Sequence, residues 1–234
     1  MNSTKETARV AGLLYLLLAI TGAFSLIYIP SAFIVRGDAT ATASKIMASE
    51  LLYRIGIASD FVSQIVFIFL VLTLYQLLKG VNKKHASLMV ILAVVSVPMA
   101  FFNMLNQIAP LILLSGADFL SVFEKNQLDA LAMTFLNVRS SGITAVSMFW
   151  GLWLFPFGLL VIKSGFFPRI LGALLIIAGL AYVAGSLTSL LSPPHGRIIS
   201  PFLAILEAGE LPIIFWLLIK GAKCADHASS ADSQ

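Results

Sequence analysis

Long apolar runs alternate with short charged stretches along almost the whole chain. The runs fall at residues 10–29, 51–78, 88–114, 142–162, 170–191 and 202–219. A hydrocarbon core about 30 Å thick takes roughly 20 helical residues to cross, and each run is about that long. The runs are continuous, whereas a barrel strand would alternate apolar and polar positions over about 10 residues. The pattern therefore predicts an all-α polytopic membrane protein with six transmembrane helices. Residues 1–221 form one such domain, and residues 222–234, rich in Ala, Ser and Asp without periodicity, read as a disordered cytoplasmic tail.

Two of the connections are long. Residues 37–50 open with Asp38, a good N-cap, followed by Ala- and Thr-rich sequence. Residues 118–137 carry Leu128, Leu131 and Phe135 at helical spacing, with Lys125, Asn126 and Asp129 on other faces. Each is expected to form a short extracytoplasmic surface helix, either shielding the bundle or covering a pocket. Arg54 and Arg139 hold comparable places at the starts of the second and fourth runs, a weak sign of a duplicated unit. Prolines 98, 110, 156, 201 and 212 are expected to kink or end helices.

Composition agrees: 59% of residues are hydrophobic, 11% are charged, and mean hydropathy is +0.97. The distribution of charge adds direction. With the N-terminus inside, the cytoplasmic segments hold Lys5, Arg9, Lys79, Lys83, Lys84, Lys163, Arg169, Lys220 and Lys223. The other side holds Arg36, Lys45, Arg54, Lys125, Arg139 and Arg197, spread over longer connections. This asymmetry predicts both termini in the cytoplasm. It also accounts for most of the net charge of +4, which is therefore not a nucleic-acid footprint; the partner is the lipid bilayer. The first run exceeds the 7–15 residues of a signal h-region and is followed by no clear A-x-A site, so it reads as a span. A lone Cys224 rules out an intrachain disulfide.

Against this apolar background, polar side chains inside the spans are the candidate chemistry. Asp60 and Gln64 are four apart on the second span and share a face. Asn103, Asn106 and Gln107 make a stripe on the third, and Glu207 and Glu210 are three apart on the sixth. Arg54 and Arg139 sit near the outer interface. Nearly all fall in the outer half, while the inner half is nearly pure Leu, Ile, Val and Phe. Two readings follow. The residues line one cavity open to the outside that takes a small molecule or ion, or they bond helix to helix as structural glue. In either case Arg54 or Arg139 is expected within salt-bridge reach of Asp60, Glu207 or Glu210, because unpaired charge at this depth is costly.

Enzyme signatures are mostly missing. His85, His195 and His227 lie outside the spans, and no HExxH, GxSxG with a partner His, or phosphate-binding Gly loop occurs. No cofactor or metal is expected. The aromatic group Phe149, Trp150, Trp153, Phe155 and Phe157 reads as packing.

The strings ARVAGLLYL at residues 8–16, GDATATA, GLWLFPFGLLVIKSGFFPRILGALLIIAG from Gly151 and ELPIIFWLLIKG from Glu210 carry a resemblance. The chain resembles the bacterial multi-pass membrane-protein family known as domain of unknown function 4386. That resemblance implies a bacterial protein of the cytoplasmic membrane and supplies no activity or site residues. A binding or transport protein is the first expectation. A sensory, regulatory or structural membrane subunit is the alternative, and an intramembrane enzyme with an acidic site is the third.

Overall fold

The computed structural model describes residues 2–222, which are almost wholly helical. Six helices among them are long and apolar enough to cross a membrane. The first span is α1 (Asn2–Ala23), one π-helical turn at Phe24–Tyr28, and α2 (Ile29–Phe33). After the surface helix α3 (Ala39–Ala48) come α4 (Glu50–Leu78) and α5 (Lys83–Leu113), the second and third spans. The fourth joins α6 (Lys125–Leu152) to α7 (Leu154–Lys163), and the fifth is α8 (Arg169–Leu191). The sixth is α9 (Pro193–Glu207), a 3-10 turn at Ala208–Glu210, and α10 (Leu211–Ile219). Successive spans are neighbours and α10 returns to α1, so the six close into a ring. Large apolar side chains such as Phe69, Ile91, Phe102, Leu180 and Phe215 point outward, as a lipid-facing surface requires.

One of the two expected surface helices is separate. The Asp38 side chain accepts from the Ala41 amide at 2.8 Å and caps α3 as expected. The second surface segment instead runs without a break into the fourth span. No proline interrupts residues 125–152, and Glu124 with Gln127 forms a capping box that starts the helix early. Residues Lys125–Lys163 make 39 residues of helix, about 58 Å at 1.5 Å per residue, so α6 extends well past a hydrocarbon core. The sixth span likewise begins earlier than expected, at Pro193, a residue suited to a first helical position.

Three spans are interrupted, each four residues before a proline. A proline has no N–H to give the carbonyl at i−4. The carbonyls left without that donor are Leu26, before Pro30, Leu152, before Pro156, and Ala208, before Pro212. The π turn, the α6–α7 break and the 3-10 turn occupy these places. Pro98, Pro110 and Pro201 are carried inside continuous helices.

At the end bearing Lys79, Lys83 and Lys84, the interior is aliphatic and aromatic. Phe67, Leu70, Leu74, Met89, Trp153 and Phe157 are all buried there. Trp153 stacks on Phe157 and meets Phe67 edge-on, both at 5.3 Å between centroids. The hairpin of the fourth and fifth spans closes on glycines. A Cβ on Gly172 would lie 2.5 Å from the Gly158 carbonyl oxygen, and one on Gly151 would lie 2.7 Å from that of Gly179. Small residues let membrane helices approach this closely and gain contact where lipid offers no hydrophobic drive. Lys223, Cys224 and the tail expected to be disordered lie outside the described residues.

Candidate functional site

Common depth leads to the expectation of one shared cavity; among the described residues the contacts of these polar side chains fall in two groups, around Asp60 with Arg139 and around Glu210. Depth could be read from position along each helix; the direction each face takes around the ring could not.

The first group joins the second, third and fourth spans. Arg139 on α6 donates through Nη2 to Asp60 Oδ2 at 3.1 Å and through Nε to Gln107 Oε1 at 2.8 Å. Asn103 Nδ2 donates to the Arg139 backbone carbonyl at 2.9 Å, and Asn106 Nδ2 donates to Asn103 Oδ1 at 3.2 Å. The Tyr53 hydroxyl donates to the Gln107 carbonyl at 2.9 Å. Gln64 stands one turn beyond Asp60 on the same buried face of α4. Gly142 makes this possible, since a Cβ there would lie 2.1 Å from Asn103 Oδ1. Asp60, Arg139 and Gln107 are 7%, 6% and 2% exposed, so this ion pair is sealed from solvent. The three polar residues of α5 and Asp60 of α4 thus meet across the helices, as their shared faces predict. Asp60, Arg139, Gln107, Asn103 and Asn106 make an interhelical hydrogen-bond network, beside which Gln64 Oε1 is buried without a partner.

Arg54 takes no part. Its Nε donates to Glu50 Oε1 at 2.6 Å, one turn away on α4, and both side chains are substantially exposed. It lies on the outward face of α4, next to the buried Tyr53, and a carboxylate four residues back is its partner.

The second group joins the first, fifth and sixth spans. The Tyr15 hydroxyl donates to Glu210 Oε2. Tyr182 on α8 lies close to both Glu210 and Glu207. Both acids flank the 3-10 turn that Pro212 imposes, so the break exposes them on the side toward α8. Gly209 allows that turn to press on α8, where an added Cβ would come 3.0 Å from the Leu174 carbonyl oxygen. Among the described residues the ion pairs are Arg54–Glu50, Lys125–Asp129 and Arg139–Asp60, so no cation pairs with Glu207 or Glu210.

A cleft of about 130 Å³ leads to Glu207 between α6, α8 and α9. Thr144, Ser147, Tyr182, Ser186, Ser200 and Glu207 line it. The Ser186 hydroxyl is buried, 5% exposed, and has no hydrogen-bond partner. Tyr15, Ser147, Tyr182 and Ser200 were not singled out as partners of the acids from the sequence. A tyrosine inside an apolar run reads as packing until an acid is found opposite its hydroxyl. Among the described residues no three His, Cys, Asp or Glu side chains are grouped to hold a metal ion.

These features define a multi-pass membrane protein with one sealed polar network and one open acidic cleft. The family described as "Domain of unknown function (DUF4386)" matches residues 10–221, and the chain belongs to that family. An uncharacterized protein of Archaeoglobus fulgidus is 36% identical over 83 residues, covering 36% of this chain and 48% of that one. The chain thus spans about half the length of this curated relative. No solved structure matches.

Proposed function

We propose that this protein binds, and in transport would carry, a small molecule or ion within the bilayer, with Glu207 and Glu210 as its polar contacts. The observation that carries the reading is the cleft between α6, α8 and α9, which includes a carboxylate without a cationic partner among the described residues. Membrane proteins place irregular backbone at bilayer depth where it lines a cavity, and the 3-10 turn at Ala208–Glu210 fits that rule. The Asp60–Arg139 network is read instead as structural, because its hydrogen bonds are already made among its own members. The membrane is read as the bacterial cytoplasmic membrane with both termini inside, from the concentration of Lys and Arg at one end of the bundle. The cleft then faces outward.

Binding without translocation, as in a sensory or regulatory subunit, is the second reading. The aromatic and aliphatic seal formed by Phe67, Leu70, Trp153 and Phe157 favours it, since no polar path continues past them.

Thiol labelling tests the cleft. In a Cys224→Ser background, Ser200→Cys and Ser189→Cys should react with a membrane-impermeant maleimide added to intact cells. Ser96→Cys, at a fully buried position on α5, should not. Unreactive thiols at both cleft positions would remove the reading.

A further inference from the structure

We infer that the cleft takes a small primary ammonium ion, held by Glu207 at its floor. This rests on the reading of the cleft as a binding site and names the chemistry of its occupant.

The lining differs in which lone pairs and which protons it leaves free. The Thr144 hydroxyl donates to the Ser140 carbonyl at 3.3 Å, and the Ser147 hydroxyl donates to the Ile143 carbonyl at 2.8 Å. Their protons are spent on their own helix, so toward the cleft these oxygens offer only lone pairs. Glu207 offers carboxylate oxygens and no donor. Ser186, Ser189 and Ser200 bring hydroxyls that can donate or accept, so the fixed preference of the cleft comes from Glu207, whose charge disfavours an anion and leaves a neutral polyol unmatched in charge. A primary ammonium supplies three N–H donors and the missing positive charge. Tyr182 adds a ring to the wall, which a cation approaches favourably. The buried, unpartnered hydroxyl of Ser186 is a second and independent sign of an absent ligand, because buried polar groups are normally satisfied. A volume of about 130 Å³ corresponds to roughly four waters at about 30 Å³ each, room for an ammonium carrying a short substituent.

The test uses purified full-length protein in detergent at constant ionic strength, with thermal unfolding as readout. Ethylammonium chloride should raise Tm saturably. Tetramethylammonium, which lacks N–H donors, sodium chloride and sodium acetate should not. In Glu207→Gln the half-saturating concentration of ethylammonium should rise by roughly tenfold or more, since the charge partner of the ammonium has been removed. Should Glu207→Gln fail to fold, Ser200→Phe, which fills the exposed end of the cleft, should abolish the ethylammonium shift. An equal response to sodium, or one unchanged in these variants, would overturn the inference. If ethylene glycol alone gave a shift that Ser200→Phe removed, the cleft would stand as a binding site and the ammonium assignment would fall. If no solute shifted Tm and the cleft thiols were also unreactive, both would fall.

Discussion

Arg139 on the fourth span and Asp60 on the second meet at 3.1 Å with both side chains almost wholly buried. Among the described residues this is the ion pair with both partners sealed from solvent, and Gln107 accepts from Nε of the same guanidinium. A guanidinium at this depth is tolerable because a carboxylate pairs its charge and a second fixed acceptor takes its Nε–H. The consequence is asymmetric: losing one partner strands the other.

Arg139→Met should therefore cost about 3–5 kcal/mol, the penalty of an uncompensated buried charge. The double variant Asp60→Leu with Arg139→Met should recover most of that loss, because replacing both members of a buried pair with apolar groups is often neutral. Unfolding in mixed micelles with increasing denaturing detergent measures both.

Gly142 gives way to Asn103 in the same network. Gly142→Ala would drive a methyl into the Asn103 side chain and disturb its bond to the Arg139 carbonyl. A loss of about 1–3 kcal/mol is expected from the overpacking. Asn103→Ala should be partly rescuing in that background, so a double-mutant cycle should return a coupling of the opposite sign.

The hairpin of the fourth and fifth spans should be equally intolerant. Gly172→Ala places a Cβ against backbone, the Gly158 carbonyl oxygen, which no rotamer change relieves. We expect a loss of about 1–3 kcal/mol. Gly22→Ala, with nothing within 4 Å of the added Cβ, should be neutral or gain up to about 1 kcal/mol from reduced backbone freedom. Parallel melts of the two separate close approach from any general effect of glycine.

The spans were legible because each is an unbroken apolar run, and lipid leaves a chain little choice but helix. The α4 and α5 faces were legible through spacing: Asp60 with Gln64, and Asn103 with Asn106 and Gln107, each fall on one side of a helix. The Arg139–Asp60 pair followed from scarcity, since few acids are available to a buried arginine. What spacing does not give is the order and rotation of helices around the ring. Glu207 and Glu210 share the depth of Asp60 yet face the first and fifth spans, with Tyr15 and Tyr182 beside them. Arg54 was expected as a site residue, but Glu50, four residues away, holds it at the surface. The surface helix expected at 118–137 merged with the fourth span because hydropathy marks where polarity changes and helical hydrogen bonding does not stop there. Pro30, Pro156 and Pro212 act on the carbonyls four residues earlier, so the breaks lie upstream of the prolines that cause them.

The central claim is a division of labour: Asp60 is a structural acid sealed in a pair, and Glu207 is a solvated acid at the floor of an open cleft. Side-by-side thermal melts of Asp60→Asn and Glu207→Gln test it most directly. Asp60→Asn should destabilise by about 3–5 kcal/mol, because Arg139 is left buried without its counter-charge. Glu207→Gln should fall within about 0.5 kcal/mol of the parent, as substitutions at wet positions without a bonded partner usually do. A loss in Glu207→Gln as large as that in Asp60→Asn would contradict the account and return both acids to the role of helix-packing contacts.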